Sequence, residues 1–353
     1  MDKDRISDGI EDLLALEKKP DIWVGNEWGE LKELVIGRPD QHEFPQINDM
    51  ALNNFMKVMP ASDNESENDN FLKLEGKLFK DAIPDRFKTM VDEVEAFVKL
   101  LEGRGIKVHR SRLLNADELK YNAFWWEGCF SLFLKDPIIV VGNLVIEGGN
   151  RSAIRHKDMY SYRELFFERV LGSNAKWICM PRPAPNTTDP TGGYGPYLTG
   201  GDVFPMGNRN VLLGFNDSDS NIWGLRWIAD LLRKEGWKVH GVRYRNDCMH
   251  LDTAMSCPAE GVALACKEFF TDGLPDLLDG WEIVDVATKD ARADACNGLP
   301  LGRGYYVMST EWKKYGEKLR DHGIKPLYTP FEENNHVTGG GPRCSHGPLV
   351  RMD

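Results

Sequence analysis

Long apolar runs and the common nucleotide-binding glycine loops are absent from this sequence. No stretch of about 18 consecutive apolar residues occurs, which argues against a membrane-spanning helix. The N-terminus, MDKDRISDGIEDLL, is charged and lacks the apolar segment of a signal peptide. We therefore expect a cytoplasmic protein with no membrane partner. Neither GxGxxG nor GxxxxGKS/T is present, so a nucleotide-binding sheet is not indicated.

Paired cysteines and an excess of positive charge are also missing. The seven cysteines (129, 179, 248, 257, 266, 296 and 344) are odd in number and contain no CxxC pair. This argues against a disulfide framework and a zinc site, and we expect reduced thiols. Lys and Arg number 44 against 55 Asp and Glu, a formal net charge of −11. The balance argues against a nucleic-acid partner, which needs a basic face, and weakly favours cationic ligands.

The composition is that of an ordinary globular protein. Of the 353 residues, 41% are hydrophobic and 28% are charged, which allows a sizeable core. We treat the chain as one domain, with residues 1–27 as an N-terminal extension that includes an amphipathic helix over 5–18. Residues 40–86 show no sustained period and contain the polar stretch 61–70. This segment is either a lid over a binding site or a solvated surface excursion.

One theme repeats along the rest of the chain. After a first strand within 28–39, an apolar-periodic helix ends at a glycine-bearing turn and a strand follows at once. The pattern occurs five times, although Pro275 interrupts the fourth helix. Because a parallel barrel would need about eight units, five units predict an α/β fold of five modules around an axis. The units span residues 87–108, 160–179, 222–239, 277–284 and 312–327.

The C-terminal stretch NNHVTGGGPRCSHGPLVR (334–351) places Cys344 shortly after three consecutive glycines. Inside a helix or strand glycine costs about 0.5–1 kcal/mol relative to Ala, but it lets the backbone come close to another group. Arg343 and His346 flank the thiol, and nearby positive charge lowers a thiol's pKa and favours the nucleophilic thiolate. Cys344 is therefore either a nucleophile on an exposed loop or a buried, inert cysteine.

Three further stretches carry ionisable residues at predicted strand ends. Asp136 precedes the strand IIVV, and Asp202 follows two glycines in LTGGDVFP. Either residue could simply belong to a turn. In MHLDTAM (249–255), His250 and Asp252 are two residues apart in a predicted extended segment. They should therefore point to the same face.

Together these residues supply the parts of a covalent mechanism. A thiol, a histidine and one carboxylate give a nucleophile, a general acid/base and the group that orients the base. Two carboxylates are left over. A planar guanidinium, with its fixed N–H donors, needs two carboxylates for paired hydrogen bonds on both edges.

Five ordered segments, between about Trp28 and Arg351, resemble the arginine:amine amidinotransferases: KDPIIVVGNLVIE, LFFERVLGSNAKWICMPRP, GGDVF with NVLLGF, MHLDTAM and GGGPRCS. That family includes the glycine, inosamine-phosphate and cyanotoxin-pathway amidinotransferases. The resemblance implies a five-bladed α/β propeller with pseudo-fivefold symmetry, the pentein fold. It also implies a small-molecule guanidine donor, an amine acceptor and no metal or organic cofactor, and it allows a homodimer.

Carried over motif by motif, the resemblance assigns a role to each of the five residues. Cys344 falls on the nucleophile, His250 on the general acid/base and Asp202 on the carboxylate that orients the histidine. Asp136 and Asp252 fall on the carboxylates that hold the guanidinium. The implied reaction moves the amidino group of arginine, or of another guanidine, to an amine. It passes through an amidino-cysteine intermediate with ping-pong kinetics.

Several departures from the family pattern leave alternatives open. The segment GVALACKEFFTDG has Lys267 where relatives that use arginine often carry an arginine for the donor's carboxylate. The identity of the donor is therefore open. IEGGNRSAIR (146–155) suggests a reshaped pocket, and His346 could compete with His250 as the base. Hydrolysis of the guanidine through the same intermediate is the alternative reaction. A non-catalytic propeller that binds a protein or a ligand is the alternative from another class.

Overall fold

Five small β-sheets, each with the same internal order, make up the structure. The computed structural model describes residues 14–44, 73–121, 128–182, 195–217 and 219–353. Within these residues, each sheet contains an antiparallel pair of strands and a further strand parallel to the second of the pair. A parallel neighbour requires a crossover connection. Helices or short helical turns provide that crossover in every sheet.

The strands are short, and the first sheet pairs an early strand with the last one. The sheet orders are β1-β16-β2-β3, β4-β5-β6, β7-β8-β9, β10-β11-β12 and β13-β14-β15. In chain order the strands are β1 (Trp23–Val24), β2 (Glu30–Ile36), β3 (Lys107–Arg110), β4 (Ile138–Val141), β5 (Leu144–Glu147), β6 (Lys176–Cys179), β7 (Val203–Pro205), β8 (Asn210–Phe215), β9 (Lys238–Arg243), β10 (Met255–Ala259), β11 (Val262–Ala265), β12 (Glu282–Asp285), β13 (Leu299–Gly302), β14 (Tyr305–Ser309), β15 (Lys325–Thr329) and β16 (His346–Met352).

Helices of very different length connect these strands. The longest, α2, begins with Pro84 at its first position, where the missing N–H costs nothing, and ends before Gly103. It buries one apolar stripe that includes Met90, Val94 and Phe97. The helices are α1 (Phe79–Ala82), α2 (Pro84–Glu102), α3 (Ala116–Lys120), α4 (Arg163–Val170), α5 (Ile222–Lys234), α6 (Leu251–Ala254), α7 (Thr288–Arg292), α8 (Lys313–Arg320) and α9 (Glu332–Thr338), with 3-10 turns at Ala153–Ser161, Gly200–Asp202, Lys267–Phe269, Asp276–Leu278 and Thr310–Trp312.

The predicted glycine stops are confirmed. One glycine in each of the five units has a positive φ, a conformation that glycine adopts without the clash of a Cβ. In the fourth unit two 3-10 turns, Lys267–Phe269 and Asp276–Leu278, replace the helix. Pro275 precedes the second of these turns, as the sequence suggested. The glycines are Gly105, Gly172, Gly236, Gly280 and Gly323, with φ from 76° to 83°.

Strand β4 shows how the core surrounds the candidate site residues. All four of its residues are buried. Ile139 and Val141 belong to one hydrophobic cluster, whereas Ile138 and Val140 belong to another. Because successive side chains point to opposite faces of a strand, a continuous apolar run is what a strand between two clusters requires. Asp136 therefore stands at the edge of two apolar cores.

Parts of two sequence predictions fall outside the described residues. The helix predicted over 5–18 lies largely outside them, and the polar stretch 61–70 lies wholly outside. Of the N-terminal segment, Ile22 is buried, and β1 pairs in parallel with β16. Trp23 and Val24 of this segment are thus part of the first sheet. Within the described ranges no helix is long and apolar enough to cross a membrane.

Two adjacent phenylalanines of α4 allow a matched test of this packing. Phe166 is fully buried, and Phe167 is 55% exposed. We expect Phe166→Ala to lower the free energy of unfolding by about 3–5 kcal/mol, because it removes a buried ring and leaves a cavity. Phe167→Ala should cost much less. Urea denaturation of both variants measures the difference, and equal losses would contradict the described orientation of α4.

Candidate active site

The five residues predicted for the site lie at corresponding places in four of the sheets. Each comes directly before the first strand of an antiparallel pair. Asp136 precedes β4, Asp202 ends the turn before β7, and Cys344 precedes β16. His250 and Asp252 lie at the start of α6, which runs into β10. Repetition of the module thus brings residues from distant parts of the sequence together.

The extended conformation predicted for MHLDTAM is wrong. His250 is extended, but Leu251–Ala254 forms a single helical turn, α6. The Leu251 N–H donates to Asp202 Oδ1 at 2.9 Å. This contact satisfies an N–H that the first turn of a helix leaves without a partner. His250 and Asp252 therefore do not share a strand face, although both side chains lie in the site.

Cys344 is buried rather than exposed, with 6% of its surface accessible. Its thiol donates to Asp252 Oδ2 at 3.4 Å, and Asn297 Nδ2 donates to Sγ at 3.0 Å. Burial, together with the negative charges of Asp252 and Asp136, raises the pKa of the Cys344 thiol well above its usual value. Arg343 acts in the opposite direction but does not prevail. Of the two alternatives for Cys344, the exposed-loop position is therefore wrong, because the thiol is buried and Arg343 does not lower its pKa overall.

His250 is surrounded by carboxylates. Its Nε2 lies 3.1 Å from Asp219 Oδ2, and its Nδ1 lies 3.6 Å from Asp136 Oδ1. Although burial opposes the charged ring, Asp136, Asp219 and Asp202 raise the pKa of His250 to about 10. The histidine is therefore an imidazolium at neutral pH.

Asp202 lies in the same cluster but makes its hydrogen bonds to other groups. Its Oδ1 accepts from the hydroxyl of Tyr244 at 2.6 Å as well as from the Leu251 N–H. Burial raises the pKa of Asp202 to about 6, and the charge of His250 works against this rise. The His250 ring donates its hydrogen bond to Asp219. Asp202 acts on the histidine through its charge and through the backbone of α6.

Each of the two predicted guanidinium-binding carboxylates has one oxygen that accepts a hydrogen bond from an arginine and one oxygen that accepts no hydrogen bond. Asp136 Oδ2 accepts from Arg155 at 3.0 Å, and Asp252 Oδ2 accepts from Arg343 at 2.7 Å. The other oxygen of each, Oδ1, is buried and has no hydrogen-bond partner among the described residues. Buried polar atoms are rarely left unpaired. Asp202 Oδ2 is a third such oxygen, and together these acceptors in one site point to a ligand with N–H donors.

Arg343 joins the site to the N-terminal segment. Its Nε donates to Glu27 Oε2 at 3.1 Å, and its guanidinium lies 4.0 Å over the ring of Phe204. Burial opposes its charge, but Glu27 and Asp252 raise the pKa of Arg343. The arginine is therefore a fixed cation that holds Asp252 in place.

His346 does not behave as a competing base. The ring is buried, and its Nδ1 lies 2.5 Å from the carbonyl oxygen of Arg343. Burial and the nearby charges of Lys135 and Arg351 lower the pKa of His346 well below its usual value. This histidine stays neutral and supports the loop that carries Cys344.

Sequence reasoning missed Asp219, Arg155, Glu27 and Asn297. Only Asn297 left a usable signal: it stands two residues before β13, as Asp136 and Cys344 stand two residues before β4 and β16. Alignment of the five modules would have placed it in the site. The other three belong to a polar turn, a helical turn and the N-terminal segment, where nothing local marks them.

Other groups considered in the sequence lie elsewhere or are inert. Lys267 is exposed and begins the 3-10 turn that follows β11. All seven cysteines are free thiols, as expected. No group of three or more His, Cys, Asp or Glu within the described part of the chain could hold a metal ion.

His250 and His346, which are both buried, predict opposite effects of pH on stability. The pKa of His250 is raised from 6.5 to about 10. Its contribution is therefore fully present below about pH 6.5 and is lost as pH rises through the folded-state pKa. We expect the unfolding free energy of the wild type, relative to His250→Gln, to fall between those pH values.

His346→Gln is the matched control, because the pKa of His346 is lowered. Its difference from the wild type should change only as the pH falls below the unfolded value of about 6.5. Urea denaturation across this pH range measures both variants. A His250 difference that stays flat above pH 7 would contradict the carboxylate environment described for the ring.

Comparison with known proteins agrees with the resemblance found in the sequence. No family model matches the chain. The chain is 26% identical over 345 residues to "Putative inosamine-phosphate amidinotransferase 2" of Streptomyces griseus, across 90% of this chain and 94% of that protein. It is 24% identical over 269 residues to mitochondrial glycine amidinotransferase of Xenopus laevis, across 68% of this chain and 59% of that protein.

Solved structures give the same picture of the fold. SxtG, an amidinotransferase of saxitoxin biosynthesis from Microseira wollei, matches with a TM-score of 0.75 at 20% identity, covering 94% of this chain and 98% of that chain. The inosamine-phosphate amidinotransferase StrB1 of Streptomyces griseus has a TM-score of 0.69 at 19% identity, with coverage of 94% and 97%. A dimethylarginine dimethylaminohydrolase of Pseudomonas aeruginosa reaches 0.61 at 15% identity, with coverage of 92% and 100%. The chain thus has the mixed α/β fold that amidinotransferases and these hydrolases share, and it is similar in sequence to amidinotransferases.

Proposed function

We propose that this protein transfers the amidino group of arginine, or of another guanidine, to an acceptor amine through Cys344. The observation that carries the proposal is the pair of buried carboxylate oxygens without partners, on Asp136 and Asp252. They lie in one site with a thiol and an imidazolium. Similarity to amidinotransferases supports amidino transfer in general. The donor, the covalent intermediate and the residue roles are our proposal.

The resident arginines, Arg155 and Arg343, define how the donor would bind. Each occupies one oxygen of a carboxylate, which leaves one oxygen of Asp136 and one of Asp252 for the donor. Charge-assisted hydrogen bonds of this kind are roughly twice as strong as neutral ones. Two such bonds, one from each side, would hold the planar guanidinium with its central carbon facing the sulfur.

The chemistry then needs a thiolate and a proton donor. The incoming guanidinium places positive charge beside Asp252 and Asp136, which offsets the two largest of the three carboxylate charges that disfavour the thiolate. As the guanidinium binds, the Cys344 thiol releases its proton to solvent. The resulting thiolate attacks the central carbon, and the C–N bond to the donor's amine breaks. The His250 imidazolium protonates that departing amine. The amidino group is left on sulfur.

The acceptor amine completes the cycle in reverse. It enters the space of the departed amine, loses a proton to neutral His250 and attacks the amidino carbon, and the carbon–sulfur bond breaks. One product leaves before the second substrate enters, which gives ping-pong kinetics. Asp219, through its hydrogen bond, and Asp202, through its charge, would stabilise the imidazolium each time it forms.

Hydrolysis is the second candidate, and the structural match to dimethylarginine dimethylaminohydrolase supports it. Water would then take the place of the acceptor amine on the same intermediate. The outcome depends on whether the occupied site excludes water until the amine arrives. Relatives in sequence that carry transferase names favour transfer.

Three broader expectations also remain proposals. A cytoplasmic location remains a proposal from the sequence, and a homodimer is proposed from the family resemblance alone. Arrangement of the five modules around an axis is supported by neighbouring strands: β10 lies beside β13, β13 beside β2, and β16 beside β4.

Mass spectrometry of the intact protein tests the reaction. We expect incubation with arginine, followed by acid quenching, to leave an amidino group on Cys344. Addition of an amine panel should discharge this adduct faster with one amine than with buffer. Cys344→Ala should carry no adduct, whereas Cys179→Ala, which removes an exposed thiol, should carry it normally. Discharge at the same rate in buffer would select the hydrolase, and failure with arginine and other guanidines would refute covalent catalysis.

Asp252→Asn tests the binding role of that carboxylate. Loss of one member of a buried charged pair costs about 2 kcal/mol or more, so kcat/KM for the guanidine should fall about 30-fold or more. Glu27→Gln is the matched control, because it disturbs the other partner of Arg343 at a distance from the donor. If Glu27→Gln lowers kcat/KM as much as Asp252→Asn, the loss comes from the Arg343 network and not from contact with the donor.

A further inference from the structure

Asn297 lies directly against the sulfur of Cys344 and is 1% exposed. Its Nδ2 donates to Cys344 Sγ at 3.0 Å and to the carbonyl oxygen of Asp252 at 3.2 Å. Its Oδ1 accepts from the N–H groups of Cys344 at 3.0 Å and of Gly341 at 3.1 Å. We propose that Asn297 is a catalytic residue whose side-chain amide stabilises the Cys344 thiolate by hydrogen bonding.

The contacts on its oxygen fix the orientation of the amide. Backbone N–H groups are donors only, so the atom that faces both Cys344 N and Gly341 N must be the carbonyl oxygen. The amide nitrogen then necessarily faces the sulfur and the Asp252 carbonyl, which are both acceptors. One side chain therefore fixes the backbone of the loop and directs a donor at the nucleophile.

The charges around the sulfur explain why a donor is needed there. Asp252, Asp136 and Asp294 all disfavour a thiolate, and the charge of Arg343 opposes them. The thiol itself donates to Asp252 Oδ2 at 3.4 Å, a contact that becomes repulsive once the proton leaves. Among the described residues, Asn297 makes the one hydrogen bond in which the sulfur is the acceptor.

A neutral side chain suits this position better than a carboxylate. Asn297 stands before β13 at the place where other modules carry Asp136 and Cys344. Aspartate here would keep the acceptor for the two backbone N–H groups, but it would place another negative charge beside the sulfur. The amide provides the same acceptor together with a donor.

The inference rests on the proposed function of Cys344, but its test uses neither guanidine nor amine. We would measure the pH dependence of Cys344 alkylation by iodoacetamide, following the Cys344 peptide by mass spectrometry. In Asn297→Asp we expect the midpoint to rise by at least about one pH unit, so that alkylation below the midpoint slows about tenfold. Asn297→Ala, which removes the donor without adding charge, should also slow it.

Asn335→Asp is the matched control. Asn335 is likewise buried in this region, and its Nδ2 donates to the carbonyl oxygen of Ala293 at 2.8 Å, away from the sulfur. The Asn335→Asp substitution adds the same negative charge as Asn297→Asp, and the pH profile of Cys344 alkylation in this variant should match that of the wild type. Circular dichroism reports folding, and Asn297→Ala decides the question if Asn297→Asp does not fold. A wild-type profile in the folded Asn297 variants, or an equal shift in Asn335→Asp, would overturn the proposal.

The alkylation test of Asn297 and the adduct test of the proposed reaction can give different results, so the two proposals can be rejected independently. A shifted alkylation profile without any amidino adduct would retain the thiolate contact and reject the proposed reaction. An adduct on Cys344 together with an unshifted profile would retain the reaction and reject the role of Asn297.

Discussion

Buried negative charge is the constraint on which the rest of this structure depends. Asp136, Asp202 and Asp252 are each at most 3% exposed. Removing a carboxylate from water costs several kcal/mol unless a charge or hydrogen bonds compensate it. The compensation comes from Arg155, Arg343 and His250, and each of these is itself held by other contacts. The site is therefore a network in which no charge can be removed alone.

The fold can bury these charges because a turn ends at the same place in each copy of the repeated module. In a short segment before a strand, the backbone groups are not used in the hydrogen bonds of a β-sheet, and the side chains are free to enter a site. Four such segments bring three carboxylates, a histidine and a thiol together, and the fifth brings Asn297. Glycine permits the crowding: a Cβ on Gly201 would lie 2.7 Å from the ring of His250. The polar cluster thus lies beside the ends of strands whose hydrophobic side chains form the core.

Much of this arrangement could be predicted from local sequence. The positive φ of Gly172 or Gly236 is a property of a single residue, so the helix–glycine–strand units could be predicted from the sequence. Contacts between distant residues were not. Asp219 and His250 are 31 positions apart, and Arg343 and Asp252 are 91 apart. MHLDTAM was misassigned for the same reason, because the partner of Leu251 N–H in its turn is Asp202, 49 positions away.

The same constraint bears on which substrates the site can accept. A neutral ligand between Asp136 and Asp252 would add no positive charge beside the two oxygens that accept no hydrogen bond, and it would leave the thiolate among three carboxylates. A guanidinium supplies the missing N–H donors and also the positive charge that a thiolate needs. In the proposed reaction, binding of the guanidinium is therefore also the step that activates the Cys344 thiol. A nucleophile that stays protonated until its cationic substrate arrives is protected from adventitious alkylation and oxidation, because the thiolate is the reactive form. Burial and negative charge, which by themselves disfavour the nucleophile, thus become a source of selectivity.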